Sequence, residues 1–184
     1  AFAAEAKKRL KVPVAVVGNI TSLQEAEEII SAGKADIVVM AKAYMADENL
    51  IHKSIRGHAE DVRPCTRCDW CGNANNYGTS MRCAINPMLG KDLDLTTLVK
   101  PGEEKHVMVI GGGPGGMMAA QTLREMGHRV SLYEKSDRLG GLLNDATVAS
   151  FKEYMRLYLQ WDIRQTMACG AEIHLNTAGT PELV

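Results

Sequence analysis

A glycine-rich loop between a predicted strand and a predicted helix constrains the fold more than any other feature of the sequence. Gly111, Gly113 and Gly116 follow a short apolar run and precede an amphipathic pattern, and the next predicted strand ends at Glu134. The glycines permit a tight turn, a close approach of the backbone to a pyrophosphate, and close helix–strand packing. The acidic residue is placed to bind ribose hydroxyls. This combination predicts a Rossmann-like dinucleotide-binding fold without separating NAD from FAD; a glycine turn with no ligand is the alternative.

Four of the five cysteines form a second constellation, with the spacing Cys65-x2-Cys68-x2-Cys71-x11-Cys83. Three cysteines spaced three residues apart can surround one centre, and a fourth cysteine later in the chain can bind the remaining iron of a cubane iron–sulfur cluster. Zinc held by four cysteines is the alternative, although such sites usually pair two separate Cys-x2-Cys turns. Disulfides rank third, because clustered cysteines are more typical of metal or redox chemistry.

The segment before the cysteines alternates apolar strands with helices. Valine-rich runs at 12–17 and 36–40 are typical of strands buried on both faces. Helices are predicted over 1–10, 23–33 and 47–56. This alternation predicts a parallel sheet. Two strands cannot enclose a core alone, so we expect this segment to need partner strands from elsewhere.

The segment after the glycine loop continues the α/β pattern. The sequence predicts a strand over 129–134, a helix over 151–167 and a strand over 171–175. In the long helix, Tyr154, Leu157, Tyr158 and Trp161 are predicted to share one side.

Composition excludes several classes of protein. The formal net charge is −1, with 46% hydrophobic and 23% charged residues, which is typical of a globular protein and not of a disordered one. No apolar run approaches the roughly 18 residues of a membrane-spanning helix. A near-neutral chain offers no electrostatic basis for binding nucleic acid. We therefore expect a cytoplasmic protein without nucleic-acid or membrane partners.

With these residues placed, the chain resembles the NADH:flavin oxidoreductases of the Old Yellow Enzyme superfamily, in the branch of 2,4-dienoyl-CoA reductase, 2-enoate reductase and trimethylamine dehydrogenase. The segment RPCTRCDWC…MRCAINPMLGK is the most specific match. The resemblance implies that residues 1–61 are the last βα units of an FMN-binding (β/α)8 TIM barrel. Residues 62–105 would be an iron–sulfur cluster loop and linker, and residues 106–184 the N-terminal part of an FAD/NAD(P)-binding domain. The chain would then be an internal fragment.

The resemblance also implies cofactor ligands. Cys65, Cys68, Cys71 and Cys83 would hold a [4Fe-4S] cluster, although many members have three residues, not two, between the second and third cysteines. A Leu-Gly-Gly element after the acidic residue favours FAD over NAD. The implied FAD-binding residues are Gly111, Gly113, Gly116, Glu134, Gly140 and Gly141.

An FMN phosphate would lie at the loops that follow strands seven and eight of the barrel, here Gly18-Asn19 and Ala41-Lys42. The family usually has Gly-Arg at both places. A lysine still neutralises a phosphate but lacks the bidentate fork of arginine. Without the resemblance, ordinary turn chemistry would explain all four residues.

The activity implied by the resemblance is electron transfer from NAD(P)H through FAD and the [4Fe-4S] cluster to FMN, which reduces an activated C=C bond of the enoate or enoyl-CoA type. The substrate pocket would lie in barrel strands outside this chain, so no catalytic residue is assigned. The implied partners are a small-molecule substrate, NAD(P)H and the remainder of the same polypeptide, with room for a homo-oligomer.

Three other functions stay open. An amine dehydrogenase or demethylase of the same family would run electrons outward from FMN. An electron-transfer subunit, such as the small subunit of glutamate synthase, also joins iron–sulfur cysteines to an FAD fold. A zinc-stabilised dinucleotide-binding module would have no redox activity.

Overall fold

The computed structural model describes residues 2–74, 78, 80–90 and 102–183, and the chain forms two compact units that divide between residues 90 and 91. The part of the predicted linker at 91–101 lies outside the described residues. The three-part division at residues 61 and 105 stays a prediction.

The first unit is built around a parallel pair of strands. β1 and β2 pair with Ala15 opposite Ile37 and Val17 opposite Val39, as the strand–helix alternation predicts. Its elements are α1 (Phe2–Arg9), β1 (Ala15–Val17), α2 (Leu23–Ser31), β2 (Ile37–Val39), α3 (Ala41–Ala46), α4 (Leu50–Ile55), a 3-10 turn (Ala59–Asp61) and α5 (Trp70–Ala74).

The two faces of this strand pair differ. Val16 and Val38 pack against a core whose buried residues are Ile20, Ala26, Met40, Ala43 and Leu50. On the opposite face Val17, Ile37 and Val39 are exposed. The prediction that both faces are buried is therefore wrong for this chain, because its helices cover only the face that carries the middle residue of each strand. Parallel sheets are ordinarily covered on both faces.

The first strand is shorter than the predicted 12–17. It begins at Ala15, because Pro13 has no N–H to donate and the N–H of Val14 donates to the carboxylate of Asp36 at 2.9 Å. A helix that the sequence did not predict, α3, follows β2 directly and buries Ala43.

Glu25 fixes the loop that follows β1. The hydroxyl of Ser22 accepts the N–H of Glu25 at 3.1 Å, and the Glu25 carboxylate accepts the N–H of Thr21 at 2.7 Å and that of Ser22 at 3.3 Å. This capping box satisfies N–H groups at the start of α2. It also holds the residues that leave β1 in one conformation.

A buried aspartate holds α3, α4 and the segment that leads to the cysteines. Asp47 is 3% exposed. Its carboxylate accepts hydrogen bonds from Lys53 Nζ at 2.7 Å, the N–H of Arg63 at 2.8 Å and the N–H of Asn49 at 3.0 Å. These hydrogen bonds compensate the buried carboxylate for the loss of contact with water.

The second unit is a three-stranded parallel sheet in the order β3-β4-β5 with helices packed on it. Its elements are β3 (His106–Ile110), α6 (Pro114–Glu125), β4 (Arg129–Tyr133), α7 (Leu143–Ala146), a 3-10 turn (Ser150–Lys152), α8 (Glu153–Ala168), β5 (Glu172–His174) and a 3-10 turn (Pro181–Leu183). The buried core consists of Met117, Ala120, Val130, Leu132, Leu139 and Leu159. This arrangement confirms the predicted Rossmann-like α/β fold. None of the helices in the described ranges is long and apolar enough to cross a bilayer.

The buried side of α8 is more polar than the sequence predicts. Leu157, predicted to lie on the apolar side, is 43% exposed. Asp162 and Thr166 are fully buried instead, and the Gln121 amide donates to the carboxylate of Asp162 and the hydroxyl of Thr166, both at 2.8 Å. A hydrophobicity pattern does not identify these positions, because buried polar residues are stable only when partners from another helix satisfy them.

We expect Asp47→Ala to lower the free energy of unfolding by about 2–3 kcal/mol, because it leaves the ammonium group of Lys53 and two backbone N–H groups without their acceptor. Urea unfolding followed by circular dichroism measures this. Glu27→Ala removes an exposed carboxylate of α2 and should leave the midpoint nearly unchanged. Equal midpoints for the two variants would contradict the role given to Asp47.

Candidate functional site

Parallel pairing of β1 and β2 brings the two loops predicted for an FMN phosphate to one edge of the sheet. A cavity of about 250 Å3 opens there, hereafter the strand-end cavity. All four predicted residues line it, together with residues of the cysteine segment and the start of α2. The lining residues are Val17, Gly18, Asn19, Ile20, Thr21, Val39, Met40, Ala41, Lys42, Cys65 and Arg67.

The cysteine loop (residues 65–71) turns tightly on both sides of Cys68. Arg67 and Asp69 have φ angles of 55° and 59°, a left-handed conformation that is uncommon outside glycine. The N–H of Arg67 points back and donates to Cys65 Sγ at 3.4 Å. Turns of this kind direct backbone N–H groups towards one point and recur at iron–sulfur and phosphate sites.

The same two left-handed residues attach the cysteine loop to both strand-end loops. Arg67 Nη2 donates to the carbonyl oxygen of Asn19 at 2.8 Å and to Thr21 Oγ1 at 3.4 Å. Asp69 forms an ion pair with Lys42. Each side chain therefore contacts the loop after a different strand.

The ion pair with Asp69 stabilises the charged form of Lys42. The hydrogen bond to the Asp69 carboxylate raises the pKa of Lys42, and negative charge on Cys71 and Cys65 adds to the effect. Lys42 and Cys65 both line the strand-end cavity.

None of the four predicted cluster cysteines forms a disulfide, and three of the thiols affect the pKa of the fourth, Cys65. Burial raises the pKa of Cys65, and the thiols of Cys83, Cys71 and Cys68 raise it further, while the N–H of Arg67 lowers it. Cys71 is buried, Cys68 is exposed, and the other two are half-buried. Cys169 is half-buried at the end of α8, where its thiol donates to the carbonyl oxygen of Thr166 at 3.0 Å.

The sulfurs of the four predicted cluster cysteines do not form a compact group of three in this structure. Zinc–sulfur bonds of about 2.3 Å place tetrahedral ligands about 3.8 Å apart. Among the four cysteines, no three sulfurs all lie within 4.8 Å of one another. Within residues 2–74, 78, 80–90 and 102–183, the one group of three ligand atoms that meets this limit belongs to His58, Glu60 and Asp61.

The residues after Cys83 attach the returning segment to α3. The buried Asn86 donates its amide to the carbonyl oxygen of Met45 at 3.0 Å and accepts the N–H of Met88 at 3.1 Å. Gly90 has φ 76°, and a Cβ there would lie 2.7 Å from the carbonyl oxygen of Met81. These contacts give a structural reason for Asn86-Pro87 and Gly90 in the motif.

The glycine loop of the second unit requires glycine where the sequence predicts it. Gly111 has φ 97°, and a Cβ on Gly116 would overlap the carbonyl oxygen of Gly111. Gly113 is the N-cap of α6, and Pro114 occupies its first turn. The N–H groups of the first turn of α6 therefore face the loop, which is the arrangement that binds pyrophosphates.

The structure brings the second glycine element onto the first. The N–H of Gly140 donates to the carbonyl oxygen of Gly112 at 2.8 Å. Gly141 has φ 51°, and a Cβ there would lie 3.0 Å from Gly113 Cα. The two glycine elements thus lie against each other, and an added Cβ would be crowded at Gly116, Gly140 and Gly141.

The carboxylate of Glu134 forms a hydrogen bond with the backbone of the glycine loop. It is 7% exposed; Oε2 accepts the N–H of Gly112 at 2.7 Å, and Oε1 accepts the N–H and the hydroxyl of Ser136, both at 2.8 Å. These hydrogen bonds lower the pKa of Glu134 below its ordinary value of 4.5. The ribose contact stays a prediction, whereas the contact with the loop is visible in the structure.

Sequence reasoning missed three residues that organise these sites: Arg67, Asp69 and Ser136. An arginine and an aspartate inside the cysteine run were visible as charges, but their partners are 48 and 27 residues away in sequence. A left-handed turn at a non-glycine residue leaves no reliable sequence signal.

Glu134 makes a pH-dependent contribution to stability. Because its pKa is lowered on folding, the stabilisation is fully present above pH 4.5 and is lost as the pH falls through the folded-state value. The difference in unfolding free energy between the wild type and Glu134→Gln should therefore be largest at neutral pH and shrink below pH 4.5. Urea titrations at several pH values measure it. Glu125→Gln, an exposed control, should show no such trend.

Known proteins match almost the whole chain. The family described as an NAD(P)-binding Rossmann-like domain matches residues 109–161. An NADH oxidase of Thermoanaerobacter brockii is 32% identical over all of this chain and 28% of its own length. A cinnamate reductase of Clostridium sporogenes is 33% identical over 96% of this chain and 26% of its own length.

A solved structure agrees with these relatives. The 6-hydroxypseudooxynicotine amine oxidase of Pseudomonas geniculata N1 is 26% identical and superposes with a TM-score of 0.88 over 98% of this chain and 27% of that protein. The chain thus spans about a quarter of the length of the proteins it matches. These matches confirm the resemblance to the NADH:flavin oxidoreductases of the Old Yellow Enzyme superfamily.

Proposed function

We propose that this chain is part of an iron–sulfur flavoenzyme that passes electrons from NAD(P)H through FAD and a [4Fe-4S] cluster to FMN and reduces an activated C=C bond of an enoate or enoyl-CoA. The observation that carries the proposal is the cysteine loop held at the carboxyl edge of a parallel strand pair by Arg67 and Asp69. A metal-binding loop at this edge lies beside the strand-end cavity, where a flavin phosphate has room.

The cysteine arrangement supports an iron–sulfur cluster over a zinc ion. Each iron of a cubane binds a different thiolate, so its four ligands lie farther apart than those of a single zinc ion. The sequence spacing of the cysteines, a triple run followed by a later fourth cysteine, agrees with this requirement. The N–H of Arg67 on Cys65 Sγ would stabilise the thiolate form that binds metal.

The uncovered face of β1 and β2 supports a barrel. Val17, Ile37 and Val39 are exposed on a parallel pair, although parallel sheets occur almost only with both faces covered. The interior of a (β/α)8 barrel would cover them, because side chains from the other strands fill its centre. Residues 1–61 are therefore proposed to be its last βα units, followed by the cluster loop and linker over 62–105.

The second unit, with residues 106–184 as the proposed domain, supports a dinucleotide cofactor. Its glycines keep side chains away from the first turn of α6, and Glu134 lies beside them. The second glycine element, packed against Gly113, supports FAD as the resident nucleotide.

The bound cofactors would supply hydride and single-electron chemistry between NAD(P)H and the substrate. The residues of this chain bind and orient them. The four cysteines would hold the cluster, the N–H groups of the first turn of α6 would stabilise a pyrophosphate charge, and Lys42 would lend positive charge to the strand-end cavity.

Amine oxidation is the second candidate reaction. The amine oxidase of Pseudomonas geniculata, named for an amine substrate, superposes with a TM-score of 0.88, and a 2-naphthoyl-CoA reductase superposes with a TM-score of 0.87. The cluster and nucleotide sites serve electron transfer in either direction. Two turnover assays of the complete protein separate the reactions. One supplies NADH and cinnamate, and the other supplies dimethylamine and a dye as electron acceptor.

Anaerobic purification of the complete protein tests the cluster and flavins together. We expect about four iron and four sulfide per chain, with both FMN and FAD. About one zinc without iron would overturn the cluster assignment. Iron with FAD but without FMN would indicate an electron-transfer subunit instead.

Cys83→Ala should lower the iron content and bleach the visible absorption of the cluster, because it removes one of the four proposed ligands. Cys169→Ala provides the matched control, since this thiol lies at the end of α8 in the second unit and should leave the iron content unchanged. A Cys83→Ala protein with full iron would remove Cys83 from the ligand set.

Gly116→Ala should lower the FAD content and the unfolding midpoint, because the added methyl overlaps the carbonyl oxygen of Gly111. Gly115→Ala is the control: the neighbouring position has open space around an added Cβ. Flavin release followed by chromatography measures the FAD content. Wild-type FAD content and stability in Gly116→Ala would contradict the role given to this glycine.

A further inference from the structure

The carboxylate of Glu134 has little hydrogen-bonding capacity left for a ligand. A carboxylate offers about four lone-pair sites, two on each oxygen. Oε1 accepts the N–H and the hydroxyl of Ser136, both at 2.8 Å, and Oε2 accepts the N–H of Gly112 at 2.7 Å. Among the described residues these are the donors to Glu134, so Oε1 is saturated and Oε2 has one site open.

The burial of Glu134 leads to the same number. The residue is 7% exposed. A Cβ on Gly112 would lie 3.1 Å from Glu134 Cβ, so the glycine loop packs directly on this side chain. The small exposed area that remains has room for one hydrogen-bond donor of a ligand.

Ser136 is placed to keep the plane of the Glu134 carboxylate fixed. Its hydroxyl has one proton and two acceptors at 2.8 Å, Glu134 Oε1 and the carbonyl oxygen of Arg138. The charged oxygen forms the stronger hydrogen bond, so the proton goes to the carboxylate. The backbone of Ser136 is held from the segment after β5, because its carbonyl oxygen accepts the N–H of Asn176 at 2.9 Å. The donor to Oε1 is therefore itself anchored.

We propose that Ser136 is a positioning residue of the nucleotide site: it saturates Oε1 of Glu134 and leaves Oε2 to accept a hydrogen bond from one ribose hydroxyl, not from both. This inference rests on the proposed function, which puts a dinucleotide at the glycine loop. It adds a residue outside the glycine elements to the site and limits the ribose contact to a single hydroxyl.

ADP and its 2′-deoxy and 3′-deoxy analogues test this inference. Each carries the adenine and pyrophosphate of FAD, and each analogue lacks one ribose hydroxyl. The complete protein, stripped of FAD, is titrated with the three compounds in a calorimeter. One analogue should bind roughly 10- to 100-fold more weakly than ADP, the range for a lost hydrogen bond to a charged group, and the other should stay within about threefold of ADP.

Variants of Ser136 test the positioning role. Ser136→Ala should reduce the preference for ADP over the sensitive analogue by roughly 2- to 10-fold, the range for one net hydrogen bond. Ser136→Thr keeps a hydroxyl at this exposed position and should restore the preference. Ser150→Ala, an exposed control in the same unit, should behave as the wild type. A purely structural effect would weaken all three nucleotides equally and leave their ratios unchanged.

Several results would overturn the inference. Equal losses for the two analogues in the wild type would show that Glu134 binds both hydroxyls. An unchanged ratio in Ser136→Ala, or a Ser136→Thr protein that behaves as Ser136→Ala does, would exclude positioning by the hydroxyl. A wild type that is purified with FAD but binds the three nucleotides equally, or none of them, overturns this inference alone. A wild type that is purified without FAD and binds no ADP overturns the proposed function instead.

Discussion

Parallel pairing is the constraint on which both candidate sites depend. In a parallel pair the carboxyl ends of the strands meet at one edge, so the loops that follow them become neighbours. The pairing of β1 with β2 places Gly18 and Lys42 around one cavity. The pairing of β3 with β4 does the same for the glycine loop and Glu134, whose carboxylate accepts the N–H of Gly112.

The cysteine loop depends on the first of these edges. Arg67 contacts the loop after β1 and Asp69 contacts the loop after β2, and both residues have left-handed backbones beside Cys68. Three of the proposed cluster ligands and the two residues that contact the strand-end loops thereby lie in one short segment. Electron transfer between a cluster and a flavin would benefit from this arrangement, because the segment that holds one cofactor also forms a wall of the other's cavity.

The errors of sequence reasoning have specific physical causes. A run of valines indicates a strand but not what covers it, so the exposed face of Val17, Ile37 and Val39 could not be foreseen. Helix α8 buries Asp162 and Thr166 because Gln121 of another helix satisfies them, and a hydrophobicity pattern carries no information on such partners. Strand β1 is short because a side chain, not a strand, accepts the N–H of Val14.

The sequence by itself determined the parallel α/β architecture and the order of motifs, because periodicity, glycine spacing and cysteine spacing are local properties of the chain. It also singled out the four cysteines, the five nucleotide-loop glycines and Glu134. Only the tertiary structure decided that Arg67 contacts Asn19 and that Gly140 lies on Gly112. Those contacts join residues that are far apart in sequence, and no local pattern encodes them, because strand pairing and left-handed turns bring them together.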